Sequence, residues 1–156
     1  MKESMTNPVR KGLLLVVSGP SGVGKTTIAR LLADETDLAF VQISAIFTGV
    51  PELRKVFEQA KIRRQNGQGT LLFVDEVHRF NKTQQDALLP GVENGWVTLV
   101  AATTENPSFS VIAPLMSRSL LVTLSELDEQ EITNVITRAI SDPRGLNDTV
   151  SMTPGA

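Results

Sequence analysis

The sequence predicts a three-layer α/β fold, in which a five-stranded parallel sheet carries helices on both faces. Two observations predict it. Short apolar runs alternate along the chain with stretches of helical periodicity, the pattern of repeated strand–helix–strand units. The runs are apolar at every position rather than at every second one, as strands covered on both sides require.

The five predicted strands are 13–18, 40–43, 70–74, 97–102 and 120–124. After the first, Ile28, Leu31 and Leu32 share one face of a helix that starts inside a glycine-rich turn. Leu53, Val56, Phe57 and Ala60 follow the i, i+3, i+4, i+7 spacing of a second helix, which Pro51 opens and Asn66-Gly67 closes. The spacing returns at Ile132, Val135, Ile136 and Ala139, with Ser125 and Asp128 as the expected capping pair. Residues 1–11 are polar and aperiodic and read as a flexible leader. Residues 141–156, with Pro143, Gly145, Pro154 and Gly155, read as a loose tail.

Composition sets bounds on function. A chain of 156 residues fits one ordinary domain. Fifteen Lys and Arg against 17 Asp and Glu give a net charge of −2, so any nucleic-acid contact has to be local rather than driven by a global positive field. The absence of cysteine excludes disulfides and thiolate metal sites and fits a reducing cytosol, although it fits other compartments as well. The apolar run Leu13–Val17 is far short of the ~18 residues that a membrane span needs, so no membrane association is expected.

The turn after the first strand reads Gly19-Pro20-Ser21-Gly22-Val23-Gly24-Lys25-Thr26. Gly, four residues, Gly, Lys, Thr is the spacing of a phosphate-binding P-loop. Its glycines let successive backbone N–H groups point inward at phosphate oxygens, and the following helix adds its positive N-terminal end. Lys25 is expected to reach the β- and γ-phosphates, and the Thr26 hydroxyl to ligate Mg²⁺, with Thr27 closing the binding segment. The fold class is therefore refined to a three-layer P-loop nucleoside triphosphatase. The third strand ends in Asp75-Glu76. At the C-terminal edge of a parallel sheet that tip faces the ligand crevice, so Asp75 can hold the magnesium through water while Glu76 polarises the attacking water. That division of labour implies hydrolysis.

Two longer stretches carry a more specific signal: Leu72-Phe73-Val74-Asp75-Glu76-Val77-His78-Arg79-Phe80-Asn81-Lys82-Thr83-Gln84-Gln85-Asp86-Ala87-Leu88-Leu89-Pro90, and Thr98-Leu99-Val100-Ala101-Ala102-Thr103-Thr104-Glu105-Asn106-Pro107-Ser108-Phe109. They strongly resemble the replication-associated recombination protein A family of AAA+ ATPases, which includes the Werner-helicase-interacting proteins. The resemblance runs from about Phe40 to Ala139 and includes Ser44-Ala45 and Gly49-Val50-Pro51-Glu52-Leu53-Arg54. It implies an ATPase that uses ATP and Mg²⁺, forms a homo-oligomer, and works with single-stranded or forked DNA and replication proteins. Thr104 matches the sensor that contacts the γ-phosphate or the attacking water, with Asn106 second in line; without the resemblance, a hydroxyl there reads as a strand-end cap. Arg118 matches the arginine finger that reaches a neighbouring subunit's nucleotide; by itself it reads as a solvated charge.

Other residues carry smaller expectations. His78, the single histidine, is expected to make a local hydrogen bond behind the acidic pair. Lys61, Arg63 and Arg64 read as a solvated helix face, with contact to DNA phosphates as the alternative. Trp96 and most of the six Phe read as core.

Residues 10–27 look more like the opening of a guanylate kinase, but nothing downstream matches the Ser-x-Ser-x-Thr-Thr-Arg stretch with which such kinases hold GMP. The family pattern also includes a segment before the P-loop and a helical lid after the fifth strand, and from this sequence both are expected to be largely missing. The domain expectation is therefore a leader over 1–11, an AAA+ nucleotide-binding core over 12–125, and the start of a lid with a loose tail over 126–156. The expected function is an ATP-hydrolysing module of DNA replication, recombination or repair, with weak nucleotide affinity and slow turnover for this chain alone. The alternatives are a guanylate-like nucleoside monophosphate kinase and a nucleotide-binding module that does not hydrolyse.

Overall fold

A computed structural model describes residues 12–151 and 153. Its five strands are β1 (Leu14–Ser18), β2 (Ala39–Ser44), β3 (Thr70–Asp75), β4 (Thr98–Thr103) and β5 (Ser119–Thr123). They pair in parallel throughout, in the order β2-β3-β4-β1-β5. All five predicted strands are present, with no end displaced by more than one residue. From β1 the chain crosses to β2 at one edge, returns through β3 and β4, and passes over β1 to reach β5. The crevice at the C-terminal end of β1 lies where that direction reverses, the place where open α/β sheets bind ligands.

Strand alternation sorts the core into two layers. On one face Leu14, Val16, Leu72, Val74, Leu99 and Ala101 pack with α2 (Val50–Gln65) and with α4 (Leu89–Glu93). On the other, Val17, Leu71, Phe73, Val100 and Ala102 pack against α1 (Lys25–Glu35). The helices thus cover both faces, as predicted. Full burial of a leucine such as Leu72 or Leu99 contributes roughly 1.5–3 kcal/mol, and these central strands hold the site's loops in register.

The face that α1 buries differs from the predicted one. Ile28 and Leu31 are exposed, and the helix meets the sheet through Ala29 and Ala33, with half-buried Leu32 packed beside them. A periodicity count follows the bulky side chains, whereas a helix seated closely on a sheet uses small ones four residues apart. In α2 the prediction holds: Leu53, Phe57 and Ala60 are buried and Val56 is half-buried. Glu52 accepts a hydrogen bond from the Gly49 N–H at 3.0 Å, and the helix ends at Asn66, followed by Gly67 at φ +82°.

Between β3 and β4, a 3₁₀ turn (Val77–Arg79) leads to α3 (Lys82–Asp86). The α3 cap is reciprocal: Asn81 Oδ1 accepts from Gln84 N–H and Gln84 Oε1 accepts from Asn81 N–H, both at 2.9 Å. Buried Gln85 donates to the carbonyls of Phe80 and Ser110 and accepts from Ile112 N–H. It thereby ties α3 to α5 (Pro107–Ser110) and α6 (Ala113–Met116).

The chain divides into two compact units after Leu124. In the second, α7 (Glu129–Ser141) is capped by Asp128, whose Oδ1 accepts from Glu131 N–H at 2.8 Å while Glu131 Oε2 accepts from Asp128 N–H at 3.0 Å. The capping pair is therefore Asp128–Glu131, three residues along from the predicted Ser125–Asp128. Both pairs have the same spacing, and the start of the helix at Glu129 decides between them. The predicted stripe of Ile132, Val135 and Ile136 is present on α7 and exposed. Ser141, predicted to open the tail, still belongs to the helix. The predicted leader over 1–11, and Pro154 and Gly155 of the tail, lie outside the described residues.

Candidate nucleotide site

The turn from β1 into α1 is built by backbone. Gly22 at φ +80° and Gly24 at φ +102° occupy the left-handed region, where a Cβ is strained, although the space around both is open. Gly19 faces a different constraint: a Cβ there would lie 2.5 Å from the Leu124 carbonyl oxygen. Gly24 is the N-cap of α1 and has no side chain to cap with, and the first turn holds no acidic residue. The free N–H groups of that turn and the helix dipole therefore favour an anion at the loop. Pro20, Ser21 and Thr27 are exposed; Val23 and Thr26 are half-buried.

Lys25 gives the loop its charge. Only 8% of the residue is exposed, and its Nζ donates to the carbonyls of Gly19 and Pro20, both at 2.7 Å. No carboxylate pairs with it within 4.0 Å among the described residues. An ammonium carries three donors, so one is left for a ligand oxygen. A buried cation without a carboxylate is costly unless an anion compensates it, so the loop fits a phosphate.

At the tip of β3, Asp75 follows Leu71 and Phe73 in the alternation that faces α1, the helix carrying Lys25 and Thr26. Glu76 is next, at φ +57° and ψ +43°, an unusual conformation for a residue with a side chain. Its carboxylate turns to the single histidine: His78 Nε2 lies 3.1 Å from Glu76 Oε2. The His78 side chain is 5% exposed, and its Nδ1 lies 2.9 Å from Thr103 Oγ1. Thr103 Oγ1 in turn accepts from Glu105 N–H at 3.0 Å. The local hydrogen bond expected of His78 is thus made, and it extends to the next strand.

Thr104 lies one residue beyond β4 and is exposed, whereas Thr103 ends the strand and is buried. Reading the sequence passed over Thr103. The signal was available in the alternation of β4, because Thr103 continues the Leu99–Ala101 series toward the face that His78 occupies. Asn106 caps α5, accepting from Ser108 N–H at 3.0 Å. Arg118 is held within the chain: Nη2 lies 3.1 Å from Glu93 Oε1 and Nη1 donates to the Pro114 carbonyl at 2.8 Å. Nothing in the sequence pattern marked Glu93 as its partner.

Of two smaller expectations, the solvated basic face is corrected and the mostly buried phenylalanines are borne out. Lys61 and Arg64 do not form a merely solvated face. Lys61 Nζ pairs with Glu58 at 2.7 Å and sits 4.0 Å over the Trp96 ring, while Arg64 donates to the Asn94 and Gly95 carbonyls at 2.9 and 3.0 Å. Long basic side chains here pin the end of α2 to the turn before β4. Of the phenylalanines, Phe57, Phe73 and Phe80 are buried and Phe40 stacks on Phe73, but Phe47 and Phe109 are 86% and 90% exposed.

With its hard oxygen donors, the site suits magnesium, which takes one or two carboxylates together with substrate phosphates. Among the described residues no cluster of three or more His, Cys, Asp or Glu forms a self-sufficient metal site, and no helix is long and apolar enough to cross a membrane.

Residues 15–127 match the family described as the ATPase family associated with various cellular activities (AAA). The chain is 52% identical over 142 residues to an uncharacterized AAA domain-containing protein of Mycobacterium tuberculosis, covering 91% of this chain and 31% of that protein. It is 46% identical over 128 residues to the replication-associated recombination protein A of Escherichia coli, covering 82% of this chain and 29% of the relative. The ATPase WRNIP1 of Dictyostelium discoideum is 39% identical over 125 residues, or 80% of this chain and 14% of the relative. This chain thus spans about a third or less of the length of these relatives. Among solved structures, the Holliday junction branch migration motor RuvB of Thermotoga maritima is similar, with a TM-score of 0.67, 28% identity, and coverage of 88% of this chain and 44% of that one. The resemblance read from residues 40–139 is borne out, and the chain belongs to the AAA family of ATPases.

Proposed function

We propose that this chain is an ATP-binding and ATP-hydrolysing module of DNA replication, recombination or repair at stalled forks, with its core in residues 12–125 and the start of a lid in 126–156. The buried Lys25 ammonium, bonded only to carbonyl oxygens of its own glycine loop, carries the reading. Residues 19–27 hold the phosphates through backbone N–H groups, and Lys25 draws charge from the β- and γ-phosphates. Magnesium, when bound, neutralises phosphate charge, and Thr26 and Asp75 are the residues that would hold it. Glu76 orients and polarises the attacking water. Thr104, beside the strand that pairs with β1, reports on the γ-phosphate. Arg118 serves a neighbouring copy's nucleotide, which makes the working form a homo-oligomer. DNA and replication proteins as partners follow from the recombination relatives, and for a bacterial relative the compartment that holds such DNA is the cytoplasm.

The test is phosphate release from ATP with and without Mg²⁺, single-stranded DNA and forked DNA, run beside a measurement of size. The expected result is Mg²⁺-dependent release that is lost in Glu76→Gln. Conversion of GMP to GDP would point to a kinase instead. Tight ATP binding without release under every condition would leave a binding module.

A further inference from the structure

We propose that His78 is a positioning residue that aims the Glu76 carboxylate, and that Thr103, at the end of β4, fixes the tautomer in which it does so. The proposal rests on the role given to Glu76 above, but it makes a physical statement that can be checked without turnover.

For a neutral ring, the acceptor-only Glu76 carboxylate sets the directions of the hydrogen bonds, and the groups behind His78 agree with it. Glu105 N–H can only donate, so Thr103 Oγ1 accepts from it. The Thr103 hydroxyl proton is then free to donate to His78 Nδ1, 2.9 Å away. With Nδ1 as acceptor, a neutral imidazole carries its proton on Nε2, which faces the acceptor-only Glu76 carboxylate at 3.1 Å. The opposite tautomer would set a nitrogen lone pair against that carboxylate. The chain from Glu105 N–H through Thr103 and His78 to Glu76 therefore has one consistent polarity, and it links the ends of β3 and β4.

Burial gives the chain its rigidity. Thr103 is buried, and His78 is nearly so. Glu76 is less enclosed and leaves the strand at φ +57°, so without an anchor its carboxylate would be free to sample other rotamers. The imidazole Nε2–H supplies that anchor from two residues away. Because Thr103 pairs across the sheet with Ser18, the residue before Gly19, a shift of β4 against the loop would be transmitted to Glu76 through the Thr103 and His78 side chains. The second carboxylate facing His78 Nε2, that of Glu105, is more distant at 4.0 Å and exposed. It leaves Glu76 as the closer acceptor.

The experiment uses the full chain and its only histidine. Nitrogen-15 spectra of histidine-labelled protein at neutral pH report the tautomer of one residue without assignment ambiguity. The expected result is an Nε2-protonated ring that loses this fixed tautomer in Thr103→Val. An Nδ1-protonated ring, or the mixture seen for a free imidazole, overturns the proposal. In parallel, His78→Phe is expected to lower kcat for ATP hydrolysis by about 10-fold or more, the worth of one hydrogen bond to a charged group, with the Kd for ATP unchanged. His78→Gln, which keeps a donor and an acceptor, should recover part of the loss, and Thr103→Val should fall between. Unchanged kcat in His78→Phe, or a loss matched by weaker ATP binding, overturns the positioning role. If the native chain releases no phosphate at all, the hydrolysis reading fails while the tautomer result still decides the inference.

Discussion

The two halves of the candidate site are made in different ways. The phosphate loop of residues 19–26 is a backbone structure in which glycines set the path and a single side chain, Lys25, supplies charge. The tip of β3 is a side-chain structure, in which Glu76 is held by His78, and His78 by Thr103 from the neighbouring strand. Local conformational rules are enough to specify the first. The second exists only once the sheet has placed β4 beside β3. Substitutions in the loop should therefore act on binding and folding together, and substitutions at the tip should act on rate.

The largest expected effect tests that division at the tip. Glu76→Gln keeps the shape and removes the charge, so kcat should fall by about 10²- to 10⁴-fold while ATP binding, measured by calorimetry, is retained. Equal losses in binding and rate would erase the distinction between the halves. Next in size is Gly19→Ala. A Cβ there meets the Leu124 carbonyl at 2.5 Å, and the strain of about 1–3 kcal/mol should appear as a lower midpoint in urea unfolding together with weaker nucleotide binding. A variant as stable as the parent would mean that the loop can move away from Leu124 more easily than the 2.5 Å approach indicates. The smallest effect concerns the Arg118–Glu93 pair, which is half-exposed. Glu93→Ala should change stability by less than about 1 kcal/mol, and any rise in turnover would indicate that the pair restrains Arg118.

How much of this was legible in the sequence follows the same line. The five strands, the fold class and the phosphate loop are local patterns of apolar runs and glycine spacing, and the residues announce them directly. The α1 face was misread because Ala29 and Ala33 are small: hydrophobic periodicity weighs Ile28 and Leu31 more heavily, although the close seat of the helix on the sheet uses the alanines. Asp75 and Glu76 were visible as carboxylates ending an apolar strand. Their partners were not, because Thr103 lies 25 residues beyond His78 and meets it only through sheet pairing. Glu93 and Gln85 escaped for the same reason, each being defined by contacts across separate elements. Lys61 and Arg64 looked like solvated charges until Trp96 and the turn at Gly95 were placed against them.

The most direct test of the central claim is calorimetric titration of Mg²⁺-ATP into the native chain and into Lys25→Ala. Saturable one-site binding to the native chain, lost or weakened by at least about 10-fold in the variant, the scale of one charge-assisted hydrogen bond, is the predicted result. Equal binding by the two proteins would contradict it.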